Sequence, residues 1–286
     1  MRRLLQRHTL DGLMLLPLFI YLLAFTGLPL LSCVVMGFTD ATSQHFPSLA
    51  NYRFLFRYTP FDLALRNTLW LAILGVSLQL LVGLGVAFVL HRLIRGRGVV
   101  RTLVLIPLGV PTIVSGVMFG YIFGSVGYLN ELLFRLGMLD APLDWIQGGW
   151  RSLAVLFVAD LWKVTPLVTL ILLAGLESIP DSALEAAAVD GASGWRQFCY
   201  ITLPLLRPAL TMAIILRAID AFRIFELPLI LTGHSTPVLG TLAYSEYYEY
   251  NNEYTSAAAA TFLLGLIAVC IASYLFLVAR RDTEVA

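Results

Sequence analysis

The most restrictive feature of this sequence is a set of long stretches without a charged side chain. Residues 12–39, 67–90 and 255–278 contain no Asp, Glu, Lys or Arg. Each stretch exceeds the roughly 20 apolar residues that a helix needs to cross the hydrocarbon core of a bilayer. The chain has 59% hydrophobic and only 13% charged residues, with a mean hydropathy of +0.83. We therefore expect a protein that crosses a membrane several times.

The apolar stretches together predict an all-α membrane protein with six transmembrane helices in a single domain covering residues 1–286. The predicted spans are bounded by polar or arginine-containing segments and comprise about 13–37, 67–91, 102–125, 152–176, 207–232 and 255–279. Pro107 and Pro111 are expected to bend the third span. The segment 177–206, between the fourth and fifth spans, is too polar to be a span itself.

The arginines predict which side of the membrane each loop occupies. Six spans place both termini on one side, and that side collects Arg2, Arg3, Arg7, Arg92, Arg95, Arg97, Arg101, Arg196, Arg207, Arg280 and Arg281. The loops on the other side contain fewer arginines, among them Arg53, Arg57, Arg135 and Arg151. Because positively charged loops remain in the cytoplasm, we expect both termini and the segment 177–206 to be cytoplasmic.

Composition argues against chemistry carried out by this chain alone. Lys163 is the only lysine, and no Gly-x-x-x-x-Gly-Lys pattern surrounds it, so the chain has no phosphate-binding loop. The four histidines lack paired spacing and the three cysteines fall in distant segments. We predict no catalytic residue, no metal site and no cofactor here, and any ATP and Mg must belong to a partner. Dispersed basic residues also argue against nucleic-acid binding.

The segment between the fourth and fifth spans is predicted to begin with a short helix. Pro180 favours a helix start that Asp181 and Ser182 can cap, and strong helix formers follow as far as Val189. Gly191 is predicted to end this helix, because it permits a turn that a Cβ would obstruct. An ordinary helix stop, which asparagine would also satisfy, is the alternative interpretation of this glycine.

A second short helix is predicted to follow. Ser193 can cap it, Leu203-Pro204 is expected to close it, and one face carries Trp195, Phe198 and Ile201 at intervals of three. An amphipathic helix lying on the membrane surface is the alternative. Such helices need a basic polar face, whereas this segment carries Glu177, Asp181, Glu185 and Asp190.

One set of residues in this segment has a spacing that chance rarely produces: Glu185-Ala186-Ala187, then Gly191 after three residues, Ile201 after nine, and Leu203-Pro204 after one more. The pattern resembles the cytoplasmic coupling loop of binding-protein-dependent ABC importer permeases. That resemblance implies the type I importer permease fold with cytoplasmic coupling helices, in which Glu185 offers a carboxylate to a basic residue of the ATPase. The coupling residues that it implies are Glu185, Ala186, Ala187, Asp190, Gly191, Trp195, Phe198, Ile201, Leu203 and Pro204.

Two of the predicted spans carry charges. Asp160 and Lys163 lie in the fourth, and the fifth contains Arg217, Asp220, Arg223 and Glu226 at intervals of three with alternating sign, so that neighbours can pair on one helical face. At a rise of about 1.5 Å per residue, Asp160 and Arg217 lie near the middle of the bilayer. A charge there costs at least ~2.5 kcal/mol on insertion scales and needs a partner.

The preferred partners across helices are Asp160 and Arg217. An ion pair that fastens neighbouring helices and a set of charges that lines the solute path are both open interpretations. A proton relay would use the same charges, so a secondary, ion-coupled transporter remains the alternative function. Candidates for the solute path, chosen for aromatic or polar character, are Tyr121, Trp162, Arg217 and Asp220.

The resemblance covers nearly the whole chain and points to the sugar-importing branch of the family. Residues 51–56, 66–68, 97–102, 160–166, 173–176 and 216–223 are similar to the maltose-type and glycerol-phosphate-type first permease subunit. This implies an inner-membrane permease of a bacterium or archaeon that works with a second related permease, two ATPase subunits and a periplasmic or lipid-anchored solute-binding protein. The implied solutes are sugars, polyols or glycerol phosphate.

The sequence departs from this family near the predicted outer face. After Leu231-Thr232 a glycine-rich turn is usual, whereas here Gly233 and Pro237 surround His234-Ser235-Thr236. Glu226 stands near a position where aspartate is more usual. Both departures affect the contacts expected with solute or binding protein and leave the coupling residues unaffected.

Overall fold

Every regular element in the part of the chain that the structure describes is a helix. A computed structural model describes residues 14–93 and 95–285, with the side chains from residue 278 onward left out. We label the helices α1 (Met14–Gly37), α2 (Ala50–Tyr58), α3 (Phe61–Arg92), α4 (Arg97–Gly109), α5 (Thr112–Phe123), α6 (Tyr128–Arg135), α7 (Gly149–Glu177), α8 (Asp181–Val189), α9 (Gly194–Leu205), α10 (Arg207–Phe222), α11 (Glu226–Thr232), α12 (Leu239–Tyr248) and α13 (Glu253–Val285).

The predicted all-α membrane architecture is confirmed. Among the described residues, five helical segments are long and apolar enough to cross a membrane: α1, α3, α5 with α6, α7 and α13. The pair α9 and α10 passes the same criterion together and bends by 64° between them, which makes six if the pair is one span. The terminal arginines that support part of the predicted orientation lie outside the residues whose side chains are described.

The third predicted span is broken rather than bent. Helix α4 ends at Gly109, and Val110 is extended with φ −78° and ψ 128° before α5 begins at Thr112. The physical reason is Pro111, which disfavours a helical conformation at the residue before it and has no N–H to offer the carbonyl of Pro107. The bend expected at Pro111 is therefore a break between two helices, whereas Pro107 lies inside α4.

The fifth predicted span also divides. Helix α10 ends at Phe222, and α11 begins at Glu226 after Phe225 leaves the helical region at φ −141°. Arg217, Asp220, Arg223 and Glu226 therefore do not share one helical face, contrary to the expectation from their spacing. Outside the predicted spans, three loops contain short helices that the apolar pattern did not show, namely α2, α6 and α12.

Contacts divide the chain into two compact units. One holds the described residues up to Thr59 together with Leu242–Gly265, and the other holds Pro60–Thr241 together with the described residues from Leu266 onward. In the first unit, α1 approaches the start of α13 closely, since a Cβ at Gly37 would lie 3.1 Å from the carbonyl oxygen of Ala257. The Asn51 amide donates to the carbonyls of Gly37 at 3.0 Å and Thr39 at 2.7 Å, which satisfies the end of α1.

In the second unit, α7 lies at the centre and packs mainly against α3, with α4, α5, α10 and α11 around it. One apolar cluster lies towards the Glu177 end of α7 and includes Leu90, Leu172, Leu173, Leu176 and Leu206. A second lies towards its start and includes Leu71, Phe119, Leu156, Leu227 and Leu231. The backbones of α3 and α7 approach each other at Gly83, where a Cβ would lie 2.8 Å from Val168 Cγ1.

Glu246 on α12 is a buried carboxylate, and we expect it to make the stability of the folded protein depend on pH. Its side chain accepts a hydrogen bond from Asn252 Nδ2 at 3.3 Å and is only 5% exposed. Burial raises the pKa of Glu246 above its ordinary value of 4.5, and the Asn252 bond only partly opposes this. A raised pKa means that the stability present below pH 4.5 is lost as the pH rises through the raised value.

Glu246→Gln keeps the shape and removes the charge, so we expect it to raise the thermal midpoint by about 2 °C or more at pH 8. The gain should disappear near pH 4, where the wild-type carboxyl is protonated. Thermal unfolding followed by fluorescence between pH 4 and pH 8 measures this, with the exposed Asp140→Asn as the control. An equal gain at both ends of the range would contradict the assignment.

Candidate coupling and translocation site

The segment between α7 and α10, residues 179–206, forms two short helices and is called the elbow below. Helix α8 turns Ala187 inward, with 7% exposure, and packs Leu184 against the apolar cluster at the Glu177 end of α7. Its opposite side leaves Glu185 and Ala186 exposed, and Val189 is 88% exposed. The predicted capping by Asp181 and Ser182 is wrong, since Pro180 occupies the cap position and no side chain bonds there.

Gly191 ends α8, as the sequence predicted, and it does so through its backbone conformation. The N–H of Gly191 donates to the carbonyl of Ala188 at 3.1 Å, and that of Ala192 donates to Ala187 at 2.9 Å. These two bonds form a Schellman motif, which requires a left-handed residue, and Gly191 has φ +76°. A Cβ at this position would meet nothing within 4 Å. The expectation that a Cβ would be obstructed is therefore wrong, and the glycine serves the backbone conformation instead.

Helix α9 is anchored through one aromatic side chain and exposes two others. The Ser193 hydroxyl accepts from the N–H of Arg196 at 3.4 Å, so the predicted cap is present. The Phe198 ring contacts Phe88 of α3, with centroids 5.5 Å apart. Trp195, which stacks obliquely on Phe198, is 73% exposed, and Tyr200 is 79% exposed.

Leu203-Pro204 does not close this helix as expected. The helix continues through both residues to Leu205, and the chain bends at Leu206, where ψ is −11°. Proline is accepted there because the preceding turn is a wider π-type turn over Phe198–Thr202, which rearranges the backbone hydrogen bonds that a proline removes. Ile201, Leu203 and Pro204 are half-buried.

The elbow is held rigidly on the helices that it connects. Leu206 is fully buried, and a Cβ on Gly175 of α7 would lie 2.5 Å from Ala209 Cβ and 2.7 Å from Leu206 Cδ1. Glu177 at the end of α7 pairs with Arg97 at the start of α4. Such close backbone approach leaves little room for independent movement. The elbow is therefore packed against the ends of both α7 and α10.

The exposed surface of the elbow combines three carboxylates, those of Asp181, Glu185 and Asp190, with several large apolar side chains. Of the residues expected to couple, Glu185, Ala186, Asp190, Gly191 and Trp195 are exposed, and Ala187, Phe198, Ile201, Leu203 and Pro204 face inward to varying degrees. Val189 and Tyr200 were not among the predicted residues although they are more exposed than Trp195. Their exposure depends on the rotation of α8 and α9 about their axes, which the spacing alone did not resolve.

Three helices meet at a buried polar network of Gln79, Asp160 and Arg217. Arg217 Nη2 lies 3.1 Å from Asp160 Oδ2, Arg217 Nε donates to Gln79 Oε1 at 2.8 Å, and Gln79 Nε2 donates to Asp160 Oδ2 at 2.7 Å. The three residues are 0–8% exposed. The structure thus brings together Asp160 and Arg217, the two residues preferred as partners, and adds Gln79. The sequence analysis missed Gln79, although a polar amide on an otherwise apolar span could have indicated it.

Lys163 has a partner of a different kind. Its ammonium donates to the carbonyls of Val110 and, at 3.4 Å, of Pro107, at the break between α4 and α5. Pro111 has no N–H to offer the Pro107 carbonyl, which accepts instead from the N–H of Val110 at 3.3 Å, and the Val110 carbonyl lies beyond the end of α4. A cation also suits the negative end of the helix dipole. Lys163, which lies on α7, therefore donates hydrogen bonds to carbonyl groups at the break between α4 and α5.

The other charged residues of the predicted spans, Asp220, Arg223 and Glu226, have exposed side chains. Asp220 lies 3.8 Å from Arg217 with half of its side chain exposed. Arg223 and Glu226 flank the break between α10 and α11 and are exposed, and neither forms an ion pair within residues 14–93 and 95–285. The predicted pairs Asp220 with Arg223 and Arg223 with Glu226 are absent there, because the helix ends between them.

The aromatic candidates for the solute path differ in their surroundings. Tyr121 on α5 is 77% exposed. Trp162 packs edge-on against Phe119, with ring centroids 5.6 Å apart, and lines an apolar cavity of about 330 Å³ with Val82, Pro107 and Leu161 among its neighbours. The surroundings of Trp162 are those of an ordinary packing residue, whereas Tyr121 is free to contact another molecule.

Comparison with known proteins shows the family to which this chain belongs. Residues 79–281 match the family described as the binding-protein-dependent transport system inner membrane component. The chain belongs to this family. As a transport permease of the inner membrane, it is not an enzyme in its own right, and its membership in a binding-protein-dependent family decides against the secondary-transporter alternative.

Curated relatives match the permease over most of its length. The trehalose/maltose transport system permease protein MalF of Thermococcus litoralis is 38% identical over 250 residues, which cover 83% of each chain. The trehalose transport system permease protein SugA of Mycobacterium tuberculosis is 37% identical over 227 residues, 78% of this permease and 72% of the relative.

A solved structure shares the fold. A chain from the crystal structure of a bacterial alginate ABC transporter, in complex with an alginate pentasaccharide-bound periplasmic protein, superposes with a TM-score of 0.83. The alignment covers 99% of the permease and 98% of that chain at 23% identity. The likeness establishes that both chains have the same arrangement of helices.

Proposed function

We propose that this permease imports a sugar or sugar-like solute, driven by ATP hydrolysis on a separate ATPase. Its partners in this proposal are a second, related permease, two ATPase subunits that hold ATP and Mg, and a periplasmic or lipid-anchored solute-binding protein. Both termini and the elbow are cytoplasmic. The observation that carries the proposal is the elbow, whose exposed surface holds three carboxylates and several large apolar side chains and which packs closely on α7 and α10. The relatives named for trehalose and maltose indicate the solute class.

The shape and chemistry of the elbow suit a protein partner. Exposed Val189, Trp195 and Tyr200 are apolar or aromatic anchors of the kind that fill pockets in interfaces, and Glu185 supplies a charge among them. An acidic surface argues against contact with anionic lipid. When the ATPases close on ATP, the elbow moves with them, and α7 and α10 follow because the elbow is packed between them. Coupling between nucleotide and loaded binding protein then passes through a rigid body.

The exposed charges near the middle of the membrane support a polar path. Asp220 is about 20 Å along α10 from its cytoplasmic start at a rise of about 1.5 Å per residue. An exposed charge at that depth faces a water-filled cavity or another protein, since lipid contact costs at least ~2.5 kcal/mol on insertion scales. Asp220, Arg223 and Glu226 therefore line a path completed by the second permease, with Tyr121 as an aromatic wall. Their side chains can accept or donate hydrogen bonds to the hydroxyls of a sugar.

In this proposal the buried polar network fastens the helices beside the path. Arg217 is 2% exposed and has its hydrogen-bonding groups directed at Gln79 and Asp160, which leaves it little opportunity to contact solute. Arg217, one of the residues predicted for the path, is therefore assigned to the buried polar network, and Asp220 to the path.

Uptake by the reconstituted complex tests this function. Proteoliposomes that contain both permeases, the ATPase and the binding protein are expected to accumulate labelled trehalose or maltose only when ATP is enclosed with the ATPase. Collapse of the proton gradient by an ionophore should leave the rate unchanged. Uptake that follows the proton gradient without ATP would overturn the coupling. Failure with both disaccharides but success with another polyhydroxylated solute would redefine only the substrate.

Asp220→Asn is the matching test of the path. The variant removes the charge from an exposed side chain, so we expect normal accumulation of the complex and a reduction of about tenfold in uptake, the effect of losing roughly 1.4 kcal/mol of solute interaction. Asp140→Asn, an exposed carboxylate outside the proposed path, is the control. Unchanged uptake by the Asp220 variant would remove that residue from the path.

A further inference from the structure

Helix α2 is the next helix after the first span, α1, and is hydrogen-bonded to the end of that span. Asn51, Tyr52 and Leu55 are buried on one side of the helix, and the Asn51 amide holds the last carbonyls of α1. The Phe38 ring at the end of α1 packs on the Tyr52 ring with centroids 4.9 Å apart. A helix held this way lies at the level where the chain leaves the hydrocarbon region.

The opposite side of α2 is basic and flanked by aromatic rings. Arg53 and Arg57 are one helical turn apart and exposed, and within residues 14–93 and 95–285 neither forms an ion pair. Phe54 and Tyr58 flank them with ring centroids 5.2 Å apart, and the Arg57 guanidinium lies 5.8 Å from the Tyr58 ring centre. Basic residues between aromatic side chains are typical of helices that lie on an anionic membrane surface.

A groove lies beside the two arginines. It has a volume of about 320 Å³ and is lined by Phe38, Leu49, Tyr52, Arg53 and Phe56. Leu49 and Phe56 are 55% and 48% exposed, so the groove is open. Apart from Arg53 its lining is apolar or aromatic, and at the edge of a bilayer hydrocarbon is available to cover it. Arg53 lines the groove and also belongs to the basic side of α2, so a cation lies at the edge of the apolar groove.

We propose that α2 binds one anionic phospholipid, with its phosphate held by Arg53 and Arg57 and an acyl chain in the groove. Guanidinium groups bind phosphate oxygens with two parallel hydrogen bonds, and two such groups one turn apart can share a single headgroup. The lipid fixes the depth of α2, and through Asn51 the end of the first span. This site is independent of the elbow and of the solute path.

Native mass spectrometry of the full-length permease in detergent micelles tests the site, with phosphatidylglycerol and phosphatidylcholine added in turn. We expect tighter binding of phosphatidylglycerol, and Arg53→Gln with Arg57→Gln should reduce its affinity about 30-fold, since each basic residue near an anionic surface contributes roughly fivefold. Arg66→Gln with Arg135→Gln removes the same charge from other exposed positions and should change little. Leu49→Asp, which places a carboxylate in the groove, should weaken binding without removing an arginine.

Three results would overturn the proposal. Equal losses in the two double variants would show a diffuse charge effect rather than a site. Undiminished phosphatidylglycerol binding by Arg53→Gln with Arg57→Gln would show that the arginines are not its ligands. Displacement of the lipid by millimolar inorganic phosphate would show that the headgroup alone is bound and that the groove is empty. Size-exclusion chromatography of each variant verifies that it remains folded.

Discussion

Glu185→Lys is expected to abolish ATP-driven uptake while leaving the permease in the membrane. Glu185 is exposed on α8 and has no structural partner within the described residues, so its replacement should not disturb folding. At the proposed interface the variant replaces a favourable contact with a repulsive one. Reversal or loss of a charge in a buried interface costs about 2–5 kcal/mol, which corresponds to at least about 30-fold weaker ATPase association. Co-purification of the ATPase and solute uptake by proteoliposomes measure both effects.

The same change elsewhere provides the control. Asp140→Lys alters the charge by the same amount at an exposed position in the loop that precedes α7 and should leave both measurements unchanged. Glu185→Gln keeps the size and a hydrogen-bond acceptor and should fall between the wild type and the lysine variant. If Glu185→Lys binds the ATPase and transports normally, the elbow does not couple through this carboxylate.

Arg217→Met is expected to prevent accumulation of folded permease. The variant leaves Asp160 and Gln79 buried without the guanidinium that neutralises one and bonds the other, and an unpaired buried charge costs about 3–5 kcal/mol. Because folded proteins are stabilised by only about 5–15 kcal/mol in total, the loss should be visible as low membrane yield and early thermal aggregation. Fluorescence-detected size-exclusion chromatography of the detergent extract measures both.

Removing the whole network separates a structural role from a transport role. Gln79→Leu with Asp160→Leu and Arg217→Met replaces the polar groups with apolar ones of similar size, and such replacements are often neutral. The triple variant is therefore expected to accumulate far better than Arg217→Met alone and to transport. Normal accumulation of Arg217→Met combined with loss of uptake would instead assign Arg217 to the solute path.

The network and the elbow are connected through the same helices. Asp160 lies on α7 and Arg217 on α10, and these helices enter and leave the elbow at Glu177 and Arg207. Gly175 packs so closely on Ala209 that the ends of the two helices next to the elbow cannot separate without disrupting that contact. In the proposed mechanism this arrangement lets the elbow displace α10, which carries Asp220 at the path, as one body with α7.

Several features of this fold were predictable because they depend on local rules. Uncharged runs such as 255–278 indicated the spans, since lipid tolerates few charges. Gly191 and Ser193 were correctly assigned to the end of one helix and the start of the next. The break at Val110–Pro111 was expected only as a bend and the break at Arg223–Phe225 was missed, because composition does not report whether backbone hydrogen bonds are continuous.

The number of apolar segments, the positions where charges interrupt them and the segment with the pattern of coupling residues all follow from the order of residues alone. Which side chains meet depends on how the helices pack. This packing joins Gln79 to Asp160 and Arg217, directs Lys163 to backbone carbonyls, and leaves Asp220, Arg223 and Glu226 exposed. The physical reason is that such contacts depend on the depth and rotation of helices far apart in the chain, which packing sets and helical periodicity within one segment does not.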